Sequence, residues 1–498
     1  MRTRPSSLPL DMLPLDRDGA VPMHRQLYEL LRSHILGGHL RAGAPLPATR
    51  TLARELGVGR NTVIAAYDSL VAEGYLEARS GSGTTVASLP EPGQARRPAD
   101  RATSLPPLSA RGRFATEAQH HATIPGRMAF HPGYPDIDSF PFATWARLLG
   151  RHARRPAEDL FGYHHVGGHP RLCAAIADYL GVSRGVECSP EQVVVVTGTQ
   201  AALDLCARLL LDEGDTAWIE DPGYAGAWHA LRNAGARLQP LPVGPAGWSL
   251  DEERAPPRLI FVTPSCQWPL GAVMRMEDRL RLLAFAERHD AWIVEDDYDS
   301  EYRLRGRPIP AMQGLARSGR VIYVGTFAKT MFPSLRIGFM VVPASLAAGF
   351  RRAVTSTGHF APLLLQAALA DFIDQGFFAT HLRRMRRLYA ERARRFVELC
   401  RARLEPWLSV AEPDAGMQVV ARLHPPLDDR TVAAAALARG IDMLALSANY
   451  RFAAPEQGLL LGYAGVGGRE TEVGLRTLRS VLEQLDQQAG DRKRLHRR

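Results

Sequence analysis

Lysine is almost missing from this chain of 498 residues: of its 61 basic side chains only two are lysine, Lys329 and Lys493. An arginine carries positive charge as well as a lysine does, but its guanidinium cannot lose a proton and attack a carbonyl carbon. Lys493 lies in the basic run 492–498, which is typical of a solvated tail. Lys329 follows the apolar run 321–328, and this position favours a chemical role for its amine.

Cysteine and long apolar runs are also scarce. Five cysteines without CxxC spacing favour reduced thiols over a disulfide framework or structural zinc. No apolar run approaches the roughly 20 residues of a spanning helix, and no signal-type segment follows Met1. We therefore expect a cytoplasmic protein that does not enter a membrane, with two or three domains. The net charge of +9 supports a polyanionic partner only weakly, because an arginine-rich coding bias gives the same excess.

Residues 21–87 have the pattern of three short helices followed by a strand pair. Apolar side chains recur at helical spacing between residues 22 and 37, a second helix is expected with Thr49 as its N-cap, and a third spans about 59–73. A ribbon after a helix-turn-helix is the wing of a DNA-reading domain. The alternative is a small helical subdomain whose polar residues are only solvated. The strands of the wing are expected at 75–78 and 84–87.

The polar start of the third helix holds the candidates for reading DNA bases. Two arginines of the second helix and the backbone of the turn between the strands would hold phosphates. The candidates are Arg60, Asn61 and Thr62 for the bases, and Arg50, Arg54, Ser80, Gly81 and Gly83 for the phosphates.

Five β-rich runs alternate with helical segments after residue 128, which is the pattern of an α/β sheet covered on both faces. Each run ends in a polar or glycine-bearing cluster. Ligands of open α/β sheets lie beyond the carboxyl ends of the strands, so we expect the five clusters to meet in one crevice. The runs are 192–197, 216–220, 258–263, 291–295 and 320–325.

Three of these clusters suggest parts of a ligand. Thr199 and Gln200 open a helix whose free N–H groups favour a phosphate, although such a turn alone is usually a helix cap. Tyr224 follows the second run, where it could stack on a flat ring, although tyrosine is also common in turns. The acidic cluster 295–299 requires a cation if it is buried, and either a divalent metal ion or a protonated heterocycle would serve.

Together the clusters describe an aldehyde-bearing, phosphorylated pyridine, which is pyridoxal 5'-phosphate (PLP). Lys329, the catalytic candidate, would bind the aldehyde covalently, Asp296 would keep the ring nitrogen protonated, and Tyr298 would bind the ring hydroxyl. No metal is expected. The phosphate ligands would be Thr199, Gln200, Thr326 and Arg336, with Arg336 as the bidentate partner.

Residues 22–87 resemble the winged helix of GntR-type bacterial regulators, above all in the run LPATRTLARELGVGRNTV at 46–63. Residues 128–485 look like a fold-type I aminotransferase. The two parts in this order resemble the MocR/GabR branch of the GntR-type regulators. The marks of the second part are Gly162-Tyr163 with Gly168, TGTQ at 197–200, DPGY at 221–224, TPSCQWPLG at 263–271, EDDYDSE at 295–301 and GTFAKTMFPSLR at 325–336.

This resemblance implies an α/β protein: a winged helix-turn-helix, then a large PLP-dependent transferase domain of fold type I with a mostly parallel sheet, then a smaller C-terminal α+β subdomain. It implies a head-to-tail homodimer that holds a double-stranded DNA operator and senses a small amine, an amino acid or a B6 vitamer. The expected segments are an N-terminal tail at 1–20, the head at 21–87, a linker at 88–127, the body at 128–487 and a basic tail at 488–498.

Several residues depart from the aminotransferase pattern. Trp268 stands where these enzymes have the asparagine that binds the ring oxygen, and Ala328 replaces a serine before the lysine. No arginine for a substrate carboxylate occurs in the run 459–463, so Arg451 is the candidate for binding the effector. Gly226 lacks the arginine of the GABA-responsive member. These departures favour a sensor without net turnover over a working aminotransferase, and the retained lysine disfavours a scaffold that only dimerises the heads.

Overall fold

The computed structural model describes residues 15–17, 19–79, 83–88, 108–117, 129–154, 157–162, 166–306 and 309–495. Ser80 and Gly81 of the predicted wing, Tyr163, and much of the predicted linker lie outside these residues. The chain divides into two compact units, Met1–Pro107 and Leu108–Arg498.

The first unit is a three-helix domain with a β-ribbon. Its core contains Leu27, Leu31, Val63 and Leu70, which are fully buried. The predicted N-cap at Thr49 is wrong, because Ala48 is the capping residue and the Tyr67 hydroxyl fixes the preceding turn by donating to the Pro47 carbonyl at 3.0 Å. The elements are α1 Met23–Leu36, α2 Thr49–Leu56, α3 Arg60–Ala72, β1 Leu76–Arg79 and β2 Gly83–Val86, with the two strands antiparallel.

The second unit alternates strands with helices. Its elements are α4 Ala110–Glu117, α5 Phe142–Ala153, α6 Glu158–Phe161, α7 Pro170–Arg184, β3 Val193–Val196, α8 Thr199–Leu210, β4 Thr216–Asp221, α9 Ala225–Asn233, β5 Arg237–Gly244, β6 Gly247–Trp248, β7 Leu259–Val262, α10 Met276–Arg288, β8 Trp292–Asp297, α11 Met312–Leu315, β9 Val321–Thr326, β10 Gly338–Val341, α12 Ala344–Thr357, α13 Leu363–Asp374, α14 Phe377–Leu404, β11 Leu408–Val410, β12 Gln418–Leu423, α15 Asp429–Leu437, β13 Leu444–Ala445, β14 Gly458–Gly462 and α16 Gly468–Leu495.

A large, mostly parallel sheet carries the site. Its strand order in the described residues is β3-β10-β9-β8-β7-β4-β5-β6. The neighbours from β9 to β5 are parallel, and β10 is antiparallel to both β9 and β3. All five predicted runs are strands of this sheet, with ends shifted by one or two residues. Since β3, β4, β7, β8 and β9 point the same way, their carboxyl ends meet at one edge.

A second, antiparallel sheet of order β11-β12-β14-β13 packs with α14, α15 and α16 and forms the smaller C-terminal part. The predicted α/β fold class, with a C-terminal α+β subdomain, is therefore confirmed. Among the helices of the described residues, none combines the length and the apolar character that crossing a bilayer requires.

Two helices extend into segments where the sequence predicted a linker and a tail. α4 lies inside the predicted linker, where its Phe114 ring packs 5.2 Å from the ring of His229, and the Arg232 guanidinium lies 4.7 Å from the Phe114 ring centre. Phe114 is the one aromatic residue among the eight of α4, and a single such residue cannot show the helical spacing of apolar side chains. The contacts of Phe114 with His229 and Arg232 therefore determine this helix. α16 continues to Leu495, beyond the predicted start of the basic tail.

Candidate functional site

The carboxyl ends of the parallel strands surround a cavity of about 380 Å³. The cavity brings together residues from the turns after β3, β4, β8 and β9, which are distant in the chain. It also contains residues that we did not predict, among them His131, Leu444 and Asn449. The predicted cofactor residues that line it are Thr199, Gln200, Tyr224, Asp296, Tyr298, Thr326, Lys329 and Arg336.

Lys329 lies in the turn that follows β9. The Thr326 hydroxyl accepts the Ala328 N–H at 3.2 Å and shapes this turn, and Lys329 Nζ donates to the Gly133 carbonyl at 2.8 Å. Burial lowers the pKa of Lys329, although the carboxyls of Asp299 and Asp296 oppose this shift. A lower pKa increases the fraction of neutral amine, which is the form that attacks an aldehyde.

Gly133 allows the amine to reach this position. Its φ is +67°, a conformation that favours glycine, and a Cβ at this residue would lie 2.9 Å from Lys329 Nζ. The segment before α5 therefore needs glycine opposite the lysine.

The acidic residues at the end of β8 have different partners. Glu295 accepts the backbone N–H groups of Met312 and Gln313, with the Arg279 guanidinium at 3.7 Å. Asp297 pairs with buried Arg184 at 2.7 Å. Since successive side chains of a strand point to opposite faces, the residue between these two points the other way. That residue is Asp296, which lines the cavity.

Asp296 is the acid left without a counterion. It is only 3% exposed, and its Oδ1 has no hydrogen-bond partner among the described residues. Burial raises the pKa of Asp296 to about 8, and the nearby charges of Asp297 and Glu220 add to this shift. A buried polar atom without a partner is costly, so this carboxyl fits a ligand that brings a donor or a positive charge. Within the described residues, no group of three or more metal-binding side chains occurs here or elsewhere.

Two tyrosines and a tryptophan form the aromatic part of the cavity. The Tyr298 hydroxyl is buried and has no nitrogen or oxygen partner in the described part of the chain, and its polar neighbour is the weakly hydrogen-bonding thiol of Cys266. The Trp268 ring lies 6.2 Å from the Tyr298 ring and 6.4 Å from the Tyr224 ring, edge to face in both pairs. A flat ligand would meet aromatic surface and one hydroxyl here.

Another part of the cavity lining suits an anion. Thr199 and Gln200 form the first turn of α8, which follows Gly198 at φ +125° without a side-chain cap. Arg336 lines the same cavity and has no acid within ion-pair distance in the described ranges. A helix N-terminus beside an unpaired guanidinium is an arrangement that binds phosphate. Gln200 Nε2 also donates to the Gly226 carbonyl at 3.1 Å, and a Cβ at Gly226 would lie 2.4 Å from Gln200 Oε1, so a side chain there would displace Gln200.

Arg451 is the predicted residue that the structure does not bring into the cavity. Its Nη1 donates to the carbonyls of Ala448 at 2.7 Å and Tyr450 at 3.1 Å, and its guanidinium lies 5.8 Å from the ring centre of Trp228. The neighbouring Asn449 lines the cavity instead, and its Oδ1 accepts the indole N–H of Trp268 at 3.1 Å.

The predicted DNA residues that the structure describes lie on the surface of the first unit. Arg50 and Arg54 are one helical turn apart on α2 and are exposed. Arg60 and Asn61 are exposed in the first turn of α3, where Thr62 is half-buried. None of the three arginines has an acid within ion-pair distance in the part that the structure describes. Gly83 is the first residue of β2.

Sequence reasoning missed the partners that come from far along the chain. Arg184 and Arg279 neutralise two of the three acids at the end of β8, and Asn449 supports Trp268. An arginine on an amphipathic helix looks solvent-exposed in a sequence, and no local signal marks these residues as buried partners.

Two family models match the chain: aminotransferase class I and II over residues 139–454, and the bacterial regulatory proteins of the gntR family over residues 23–86. The chain is 63% identical to the probable rhizopine catabolism regulatory protein MocR of Rhizobium meliloti, over 95% of this chain and 97% of the relative. It is 30% identical to the pyridoxine biosynthesis transcriptional regulator PdxR of Corynebacterium glutamicum, over 92% of this chain and 94% of the relative.

A solved structure resembles the second unit. LysN, an α-aminoadipate aminotransferase of Thermus thermophilus complexed with N-(5'-phosphopyridoxyl)-L-leucine, superposes with a TM-score of 0.69 at 28% identity. The match covers 75% of this chain and 97% of that chain.

Proposed function

Because the chain belongs to the MocR-type GntR regulators, in which an aminotransferase class I and II domain follows a DNA-binding head, we propose that it binds PLP through Lys329 and senses a small amine while it holds DNA. As a regulator of transcription it would act in the cytoplasm, on an operator bound by a head-to-tail homodimer.

The observation that carries the proposal is the set of unpaired polar groups around Lys329. Among the described residues, Asp296 Oδ1 and the Tyr298 hydroxyl have no nitrogen or oxygen partner and Arg336 has no acid within ion-pair distance, and all three line one cavity with a lysine of lowered pKa. Each of them matches one group of PLP: the ring nitrogen, the ring hydroxyl and the phosphate. When bound, PLP supplies an aldehyde that reacts reversibly with primary amines.

The side chains of this cavity would share the work of binding. Lys329 offers the nucleophilic amine, and Asp296 becomes ionised beside a positively charged ring nitrogen because an opposite charge stabilises the carboxylate. Arg336 and the first turn of α8, with Thr199, Gln200 and the Thr326 hydroxyl, hold the phosphate. Tyr224 packs against the ring.

For the protein to regulate transcription, ligand binding in the cavity must change how the dimer binds its operator. An amine that binds one state of the dimer more tightly than the other shifts the population between two DNA-binding states. Arg60, Asn61 and Thr62 would read bases, while Arg50, Arg54 and the backbone at Gly83 would hold phosphates.

A working aminotransferase is the alternative for the body. Trp268 stands where the resemblance places an asparagine, and Arg451 is directed away from the cavity. Steady release of a carbonyl product from an added amino acid would support the enzyme, whereas a lasting spectral change without product would support the sensor.

The experiment compares two lysine variants of the purified full chain after incubation with PLP. We expect wild-type protein and the Lys493→Ala control to retain a visible absorbance band through gel filtration, and Lys329→Ala to lose it. A Lys329→Ala variant that keeps the wild-type band would overturn the assignment of this lysine.

A further inference from the structure

The helix α4 is held on the second unit by a few side chains. The Phe114 ring is half-buried against His229 of α9, and the exposed guanidinium of Arg232 on the same helix lies over this ring. Arg111 adds an ion pair with Glu213 at 3.3 Å, but both side chains are exposed, so this pair contributes little to docking. Among the described residues of α4, Phe114 therefore supplies most of the docking contact.

The docking of α4 is close to balanced. An isolated helix of eight residues is marginal in water, because fixing its backbone costs more entropy than its own hydrogen bonds return. The half-buried Phe114 ring and its cation–aromatic contact must offset this cost. A helix held so weakly is an element whose docked fraction a small difference in binding free energy can change.

A row of rings and guanidinium groups continues from α4 toward the cavity. The Arg232 guanidinium lies 4.7 Å from the centre of the Phe114 ring and 5.7 Å from the centre of the Trp228 ring, one turn earlier on α9. The Trp228 ring in turn lies 5.6 Å from the Phe452 ring, edge to face. Side chains in contact therefore join α4 to the loop 449–453.

The helix α9 and the loop 449–453 both reach the cavity lining. Tyr224 lines the cavity and is the N-cap of α9. Asn449 lines the cavity from the loop that carries Phe452, and its Oδ1 accepts the Trp268 indole N–H at 3.1 Å. A ligand that fixes these side chains also fixes the surface on which α4 docks, so a filled cavity and a docked α4 stabilise each other.

The position of α4 in the chain gives its docking a consequence for the head. The wing ends with Val86 and α4 begins at Ala110, whereas the next described anchor on the body is the bridge of Ala129 with Ile441. With α4 docked, residues 87–109 tether the head. With α4 released, the tether is 87–128, almost twice as long. Since a chain spans at most about 3.6 Å per residue, docking reduces the reach of the head.

From these contacts we infer that α4 is a regulated anchor of the linker: a filled cavity favours its docking on α9 and so shortens the chain between the DNA-binding head and the body. The inference rests on the proposed function, because PLP at Lys329 is the ligand that fills the cavity and DNA is the partner of the head. Phe114 is the docking side chain, and Arg232 with Trp228 connects it to the cavity loop.

Hydrogen exchange of the full chain measures the docking directly. We expect PLP to slow the exchange of the α4 amides about fivefold in the wild type and in the control Ala115→Gln, which changes an exposed residue of the same helix. In Phe114→Ala these amides should exchange fast with or without PLP. Because coupling is reciprocal, Phe114→Ala should also weaken PLP binding about threefold.

Two results of this experiment would overturn the inference. One is α4 exchange in the wild type that does not respond to bound PLP, and the other is wild-type exchange of α4 in Phe114→Ala. Failure of the proposed function looks different, since the wild-type chain would then show no visible band before the exchange experiment begins.

Operators with altered spacing test the tether. The half-sites of an operator mapped by footprinting are moved apart by two helical turns, about 20 base pairs, and bound by the PLP-loaded proteins. A shorter tether tolerates a wider span less well. We expect the wild type and Ala115→Gln to lose affinity by a factor about three times larger than Phe114→Ala does. Equal losses in the three proteins would show that α4 does not set the reach of the head.

Discussion

At the scale of single residues, the site depends on one acid that has no hydrogen-bond or ion-pair partner among the described residues. Asp296 lies between two carboxyls that the fold neutralises with Arg279 and Arg184, and it alone faces the cavity. The position of Asp296 directly after an apolar run made it predictable from the sequence. The two arginines were not predictable, because only the packing of α7 and α10 against the sheet brings them to the acids.

The raised pKa of Asp296 predicts how the stability of the PLP-free protein depends on pH. A carboxyl with a pKa of about 8 when folded and about 4 when unfolded binds more protons in the folded state between these values. Its contribution to stability is therefore fully present below about pH 4 and is lost as the pH rises through 8. We expect Asp296→Asn to remove this loss, on the order of a few kcal/mol.

Urea unfolding of the PLP-free wild type and variant at pH 5 and pH 8 measures this effect. Asp251→Asn, in an exposed loop, is the control. Equal pH dependence in wild type and Asp296→Asn would show that this carboxyl is not protonated in the folded chain.

Gly133 gives a second prediction at the residue scale. Gly133→Ala places a Cβ 2.9 Å from Lys329 Nζ in a backbone with positive φ, so we expect weaker retention of PLP and a loss of about 1 kcal/mol in stability. Gly440→Ala is the matched control, because its φ of +80° carries a similar backbone cost and a Cβ there meets no atom within 4 Å. PLP affinity from absorbance titration and the urea midpoint measure both effects, and a Gly133→Ala protein with wild-type PLP affinity contradicts the proposed contact.

At the scale of elements, the end of β4 holds the loop that carries Asn449. The Asp221 carboxylate accepts N–H groups from Arg451, Phe452 and Ala453, and the Gly223 N–H donates to the Asn449 carbonyl at 3.1 Å. The apolar run of β4 predicted the strand, and the turn predicted Tyr224. The partner loop could not be predicted, since it lies more than 200 residues further along the chain.

The contacts of Asp221 predict the effect of its substitution. An amide accepts these N–H groups less strongly than a carboxylate, so we expect Asp221→Asn to destabilise the protein by about 1 to 3 kcal/mol and to weaken PLP binding. Urea unfolding and absorbance titration measure the two effects. The account of this loop fails if both quantities stay at their wild-type values.

On the scale of the whole molecule, the proposal assigns DNA reading to the first unit and PLP binding to the second, so substitutions of the base-reading residues should leave PLP retention intact. Arg60→Ala with Asn61→Ala should abolish the preference for the operator over random DNA while the visible band remains. Arg54→Ala should weaken binding to all DNA sequences. It should also reduce the slope of the logarithm of the binding constant against the logarithm of the salt concentration by about one, because one fewer counterion is released. Competition binding at several salt concentrations measures this, and a retained operator preference in the double variant contradicts the assignment of α3.

A part of the molecule could be predicted where its sequence signal lies in consecutive residues. The head and the strand ends carry motifs in consecutive residues, and the structure contains the predicted helices and strands within one or two residues of their expected positions. α4 and the extension of α16 were missed, because a short helix with one aromatic residue and a basic helix end resemble linker and tail in composition.

The central claim is a covalent link between PLP and Lys329, and the scarcity of lysine allows a direct test. Borohydride reduction of the PLP-loaded chain, followed by proteolysis and peptide mass spectrometry, should place one phosphopyridoxyl group on the peptide that contains Lys329 and none on the peptide that contains Lys493. An unmodified Lys329 peptide after complete reduction, or a label divided equally between the two lysines, would contradict the account.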